Sequence, residues 1–341
     1  TPNQIIKELQ AIYDQGYEGM VFFVDDNFIG NAKKTKVVLS EIIKWQQAHD
    51  YPFYFFTESS INLVQDEELM QLMSDAYFRN IFIGIETPEI ESLEACGKHQ
   101  NLKIDLVKSI KKIHSYGMQV MGGFILGFDT DSDSVFENMI GYIQETGIVT
   151  AMVGLLNAIP GTRLHDRMRE DGRLLKESTG ENTDAVTNIL PMMGMEKLVN
   201  GYRHVLKTIY DPKNYYERIY TLLEDLKPNQ TVIQWRRQGQ KKDKERKKLN
   251  VSKEEVKAFF RILKTLLFHS KNGFRFLKLF FKTLRKSPDL VKTAVELAIY
   301  GHHFEKIMKK IVKGKPNTIN LPIQPSPIKL ESGIKLSQYT N

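Results

Sequence analysis

The residues best suited to chemistry in this chain stand directly after short apolar runs. Asp25-Asp26-Asn27 follow Met20–Val24, and Thr57-Glu58-Ser59-Ser60 follow Phe53–Phe56. Glu86-Thr87 follow Asn80–Ile85, Gly127-Phe128-Asp129-Thr130 follow Gln119–Leu126, and Asn157 to Thr162 follow Ala151–Leu156. Carboxylates suit an ammonium group and ribose hydroxyls, and glycines let backbone amides approach the edge of an adenine. Together they describe a small-molecule pocket with acidic groups on one rim. The same acidic residues also suit the caps and first turns of the helices that follow. At any single position the two readings compete; the repetition at five successive runs favours a pocket.

The elements that would position these residues follow from periodicity. The five apolar runs are too short for helices and read as buried strands of a parallel sheet. Between them lie helical patterns near 32–49, 66–76, 102–116 and 133–146, and another opens the chain through Ile5, Ile6, Leu9, Ile12 and Tyr13. Asp66 and Asp133 are expected to start helices, Gly117 and Gly147 to stop them. Alternating strands and helices imply βα units, and in such barrels the active site lies at the carboxyl ends of the strands. The strand expected before the first helix is missing. Residues 161–230 read as helix and loop without a clear strand, including 196–210 and 215–224.

Charge divides the chain. Between Arg236 and Lys286 there are 18 Lys and Arg against 4 Asp and Glu, a local charge of +14; the whole carries +7, which leaves −7 for the remainder. This asymmetry suggests units with different surroundings. The expected organisation is a barrel over 1–165, a helical extension over 166–230, a basic linker over 231–250, a basic helical region over 251–313 and a proline-containing tail over 314–341. In the basic region Ser252 and Glu255 form a capping box ahead of Val256, Phe259, Phe260 and Leu263. A second helix carries Leu277, Phe280, Phe281 and Leu284, and a third runs from Ser287-Pro288 to about Lys313. These phenylalanine-rich faces opposite Lys and Arg suit an anionic membrane surface; they equally suit packing against one another. No base-stacking motif accompanies the charge, so nucleic acid is not expected.

No uncharged apolar run approaches the ~18 residues of a membrane span, and the first residues lack the features of a secretory signal. The expected compartment is the cytoplasm, with peripheral contact at a membrane. The single cysteine, Cys96, excludes a disulfide within the chain and a cluster held by several of its own thiolates. His49, His99, His114 and His165 are not at metal-ligand spacing, and His302-His303 point about 100° apart on a helix. No metal ligands are expected in this chain.

Five stretches taken in order are more specific than any one of them: VFFVDDNFIGN (21–31), FTESSIN (56–62), FIGIETPEIESL (82–93), GGFILGFDTDS (122–132) and LLNAIPGTRL (155–164). Over roughly residues 1–230 the chain resembles radical S-adenosylmethionine proteins, in particular the cobalamin-binding branch that includes hopanoid methylases. The resemblance implies a partial TIM-type (β/α)6 barrel, here lacking its first strand, followed by an α-helical C-terminal region. It implies S-adenosylmethionine, a [4Fe–4S] cluster and cobalamin as cofactors, and an electron donor such as a flavodoxin or ferredoxin. The activity implied is hydrogen abstraction by a 5′-deoxyadenosyl radical, with methyl transfer to a lipid-like or other unactivated carbon. Carried over by motif, Asp25, Asp26 and Asn27 match the position that holds the methionine amino group, where most members have a Gly-Gly-Glu-like element. Glu58 and Ser60 match the next rim, and Glu86 the carboxylate near the ribose or amino end. Gly123 to Phe128, including Gly127, match the strand that passes the adenine, and Asn157 begins the last strand end. The three-cysteine CxxxCxxC loop and the cobalamin domain belong upstream of Thr1 in this family, so a fragment of a longer enzyme is expected. A barrel that binds without catalysis and a membrane-associating module are the alternatives.

Overall fold

The computed structural model describes residues 1–102, 104–177, 187–235 and 272–313. Five strands, β1 (Gly19–Phe23), β2 (Phe53–Ser59), β3 (Phe78–Glu86), β4 (Gln119–Leu126) and β5 (Ala151–Leu155), form one sheet in the order β1-β2-β3-β4-β5. Every neighbouring pair is parallel. The sheet curls into half a barrel, as the βα rhythm predicts. Parallel neighbours need a crossover, and the helices α2 (Ala32–Ala48), α3 (Glu67–Asp75), α6 (Leu106–Ser115) and α7 (Val135–Thr146) supply it. α1 (Pro2–Asp14) leads the chain and packs on α2. Two short helices, α4 (Ile90–Ala95) and α5 (His99–Leu102), sit between β3 and α6.

Local chemistry explains the boundaries. Asn31, Asp66 and Asp105 each accept a backbone N–H of the first turn, at 3.1, 3.0 and 3.0 Å, and so start α2, α3 and α6. α6 therefore begins four residues later than its apolar pattern. Gly147 closes α7 in a left-handed conformation, as expected. Asp133 does not cap that helix: Ser134 occupies the position, and the Asp133 carboxylate instead pairs with Lys197. β2 and β3 are longer than their apolar runs, so Glu58, Ser59 and Glu86 lie within strands rather than after them.

Within the stretch read as helix and loop, residues 163–170 form a helix, α8 (Arg163–Glu170), whose bounds periodicity does not mark, and Leu174 and Ile189 make an antiparallel bridge where no strand was expected. α9 (Met195–Ile209) and α10 (Pro212–Asp225) follow, then α11 (Gly273–Lys286) and α12 (Val291–Lys313). The capping box at Ser252 and its helix lie outside the described residues, as do the proline-containing tail and residues 236–250 of the expected basic linker; residues 231–235 of that linker are helical instead, with Val232 buried. Phe276, Leu279, Ala294 and Leu297 of the last two helices, and Leu290 of the turn between them, share one apolar core with the barrel strands. Arg218, fully buried on α10, joins these layers. It donates to Gln144 at 2.6 Å and to the Ile209 and Val149 carbonyls, and lies beside the rings of Tyr210 and Tyr215. Burial pushes its guanidinium down to about 10.

Candidate functional site

Strand alternation decides which side chains enter the half-barrel. In β2 the odd positions Phe53, Phe55, Thr57 and Ser59 are buried under the helices, and Tyr54, Phe56 and Glu58 take the opposite, partly open face. In β3 Ile81, Ile83 and Ile85 are buried, which gives the other face to Phe82, Gly84 and Glu86. Phe22 of β1 stacks on Phe56 with ring centroids 4.7 Å apart. The concave wall is apolar in its middle and acidic at the carboxyl end.

At that end lies an open cleft of about 320 Å³ whose wall includes Asp26, Asn27, Glu58, Ser60 and Glu86. Five of the residues singled out in the sequence are thus brought together. The loop after β1 is tied over the end of β2: the Phe28 N–H donates to the Glu58 carbonyl at 3.0 Å, and the Ser60 N–H to Asn27 Oδ1 at 3.2 Å. Asp25 stands outside the cleft wall; its carboxylate accepts the Asn27 N–H at 3.0 Å and shapes the turn.

Glu86 is placed by a distortion. The register with β4 slips between Gly84 and Glu86, and Glu86 itself has φ of 69°. A left-handed conformation costs a non-glycine residue about 1–2 kcal/mol. Two bonds hold it: the Thr87 N–H and the Asn101 side-chain amide both donate to the Ile85 carbonyl, at 3.0 and 3.1 Å. The bulge turns the carboxylate back over Gly84, where an added Cβ would meet Glu86 Oε1 at 2.7 Å. Lys98, from the connection between α4 and α5, closes this corner with an ion pair of 2.8 Å to Glu86. Lys98 and Asn101 lie on no periodic pattern that would have marked them; only the folding of 87–102 across the strand ends brings them in.

The β4 and β5 ends are different. Gly123 lies beside Gly84 in the ladder, with the Phe82 ring over it, and is not part of the cleft wall. The N–H groups of Gly127 and Phe128 donate to Asp131 Oδ2 at 2.8 and 3.1 Å, and Ser92 Oγ donates to the other oxygen at 2.9 Å. The amides expected to face an adenine are therefore already satisfied within the chain. Burial pushes the Asp131 carboxyl above the usual range, with those same bonds opposing the rise. Gly127 has φ of 104°, and a Cβ there would sit 3.0 Å from Leu198, so the turn needs glycine. Asn157 is also engaged: its Oδ1 accepts the Asn188 N–H at 3.1 Å and its amide donates to the Leu155 carbonyl at 3.0 Å.

The donor set fits one implied ligand and not another. Three carboxylates, a lysine, a serine hydroxyl and an aromatic ring around one cleft fit S-adenosylmethionine, a cation with an amino acid head, a ribose and a flat base. An iron–sulfur cluster does not fit these residues. Cluster iron is held by several thiolates, and the one cysteine, Cys96, is exposed with Sγ on the Leu93 carbonyl at 3.4 Å. Among the described residues no three His, Cys, Asp or Glu side chains are grouped to hold a metal ion.

The chain is 41% identical over 220 residues to an uncharacterized methyltransferase of Synechocystis sp., covering 64% of this chain and 41% of that protein. It is 34% identical over 218 residues to the hopanoid C-2 methylase of Rhodopseudomonas palustris, covering 64% and 40%. The matched part spans about two fifths of these relatives' own length. In space it overlays, with a TM-score of 0.43 and 14% identity, on 47% of the cobalamin- and [4Fe–4S]-bound radical S-adenosylmethionine methyltransferase TsrM of Kitasatospora setae, using 67% of this chain. A fit that distant carries nothing further. Residues 162–317 match a family described as a domain of unknown function, DUF4070.

Proposed function

We propose that the chain, similar over about two thirds of its length to a hopanoid C-2 methylase and an uncharacterized methyltransferase, belongs to the cobalamin-binding branch of the radical S-adenosylmethionine proteins and that its cleft binds S-adenosylmethionine in the service of methyl transfer. The observation that carries the reading is the convergence of Asp26, Glu58 and Glu86 on one cleft from three consecutive strands, with Lys98 against Glu86. The carboxylates are the groups to receive an ammonium and ribose hydroxyls, and Lys98 the group to receive a carboxylate. Phe82 and the apolar wall below offer a face for the base and keep water from it. In the protein as a whole, S-adenosylmethionine would supply a 5′-deoxyadenosyl radical, and methylcobalamin the methyl group, for an unactivated, lipid-like carbon. An electron donor of flavodoxin or ferredoxin type would serve it. No step of that chemistry is assigned to residues of this chain, whose part is to bind and orient.

Equilibrium dialysis with labelled S-adenosylmethionine tests the reading. Saturable binding is expected, weakened about tenfold by Glu86→Gln and by Glu58→Gln, since a charge-assisted bond is worth about 1.5–3 kcal/mol. A folded protein with no saturable binding, or unchanged affinity in both variants, would overturn it.

A further inference from the structure

α11 has two apolar faces, and only one of them packs against the described residues. Phe276, Leu279 and Thr283 are buried against the rest of the protein. Phe274, Leu277, Phe281 and Leu284 fall on the opposite side at spacings of three, four and three residues, which makes one line along the helix. They are 80%, 39%, 61% and 47% exposed. A stripe of two phenyl rings and two leucines in water is unlike the scattered single apolar residues of an ordinary surface.

The charges of the same helix lie along one edge of that stripe. At 100° per residue, Arg285, Lys278, Lys282, Arg275 and Lys286 follow one another over about 100° of arc beginning beside Phe274. The helix holds these five basic residues and no acidic one. Lys282 is partly engaged, with Glu224 at 3.7 Å and the Tyr220 ring at 4.2 Å. Lys278, Arg285 and Lys286 make no ion pair among the described residues.

We propose that this face of α11 is a docking surface for an anionic lipid bilayer, with the helix lying in the interface plane. An apolar line bordered by cations on a convex helix matches acyl chains beside anionic headgroups. A nucleic acid would meet the cations and leave both phenyl rings in water. The helix has 14 residues, and no described helix is long and apolar enough to cross a membrane, so the mode is lateral rather than spanning. The surface is distinct from the cleft and independent of what the cleft binds.

Flotation of the full chain with phosphatidylcholine vesicles, with and without 40% phosphatidylglycerol, tests this. Co-flotation is expected with the anionic vesicles at low salt and is expected to fall steeply toward 1 M salt, where screening shortens to about 3 Å. Each basic residue near such a surface contributes about fivefold, so Lys278→Glu with Arg285→Glu is expected to reduce binding more than about twentyfold. Phe274→Ser with Phe281→Ser alters only exposed side chains, and circular dichroism checks the fold; a loss of about tenfold or more is expected. In Phe281→Trp, emission beyond that of the parent protein is expected to shift to the blue on anionic vesicles and to be quenched by brominated lipid. Absence of flotation at low salt overturns the proposal, including where light scattering shows a second copy occupying the stripe. Undiminished flotation of the double serine variant also overturns it, since another part of the chain would then be the contact.

Discussion

The two halves of the barrel rim carry similar residue types and use them in opposite ways. Along β1 to β3, Asp26, Glu58 and Glu86 present carboxylates to an open cleft, and Glu86 is held in a left-handed conformation with Lys98 as its ion partner. Along β4 and β5, Asp129 is bound by Arg173 and Arg167, Asp131 takes three donors, and Asn157 and Asn188 clasp the segment that follows. One half keeps polar groups available at a cost in backbone strain. The other spends them on its own architecture. A rim residue is a site candidate only when the fold leaves it something to bind.

The largest effect expected on stability is on the closed half. Asp131→Ala leaves two backbone N–H groups without their acceptor and the buried Ser92 hydroxyl with Thr130 alone, and is expected to cost about 3 kcal/mol in urea unfolding. Affinity for S-adenosylmethionine is expected to stay within about twofold; a loss equal to that of Glu86→Gln would show that both halves form one site. A similar magnitude is expected from His114, buried on α6 with neither ring nitrogen partnered. Burial pushes its pKa down to about 3. The folded state therefore refuses a proton that the unfolded state accepts below about 6.5, and the associated stability, present above that pH, is lost as pH falls toward 3. Between pH 7 and 4.5 the wild type is expected to lose about 2 kcal/mol more than His114→Leu; parallel losses would show that the ring is protonated in the fold.

Asn157→Ala removes the acceptor of the Asn188 N–H and is expected to cost about 1 kcal/mol while leaving ligand affinity alone. The smallest effect sharpens the contrast most, because its sign reverses. Glu86→Gly relieves the left-handed strain and gives up a partly exposed ion pair, which is worth at most about 1 kcal/mol. The variant is expected to match or exceed wild-type stability by up to about 1 kcal/mol and to bind S-adenosylmethionine more weakly. A destabilised variant would mean that the bulge depends on the carboxylate rather than on Asn101.

Much of the fold was legible in the residues. The runs at 20–24, 53–56, 80–85, 119–126 and 151–156 became strands because an apolar stretch too short for a helix has one way to bury itself, and Asp66 and Gly147 mark helix ends through bonds to the adjacent turn. The bounds of α8, within the stretch read as helix and loop, were not legible because its sequence, RLHDRMRE, is polar almost throughout and holds its place through two buried residues, His165 and Met168. Asp133 was misread as a cap because Lys197, 64 residues away, offered its carboxylate a partner. Within the site, Glu58 and Glu86 were legible from their position at strand ends, and Lys98 was not.

The sequence by itself determined the order of strands and helices and the type of residue at each strand end, because period and capping are set by near neighbours in the chain. The tertiary structure decided which of those residues remain free. Asp131 reaches the Gly127 and Phe128 amides and Ser92, and Lys98 reaches Glu86, only after the loops have folded across the strand ends. Hydrogen-bond capacity is finite, and its distribution among distant partners is a property of the fold rather than of any segment.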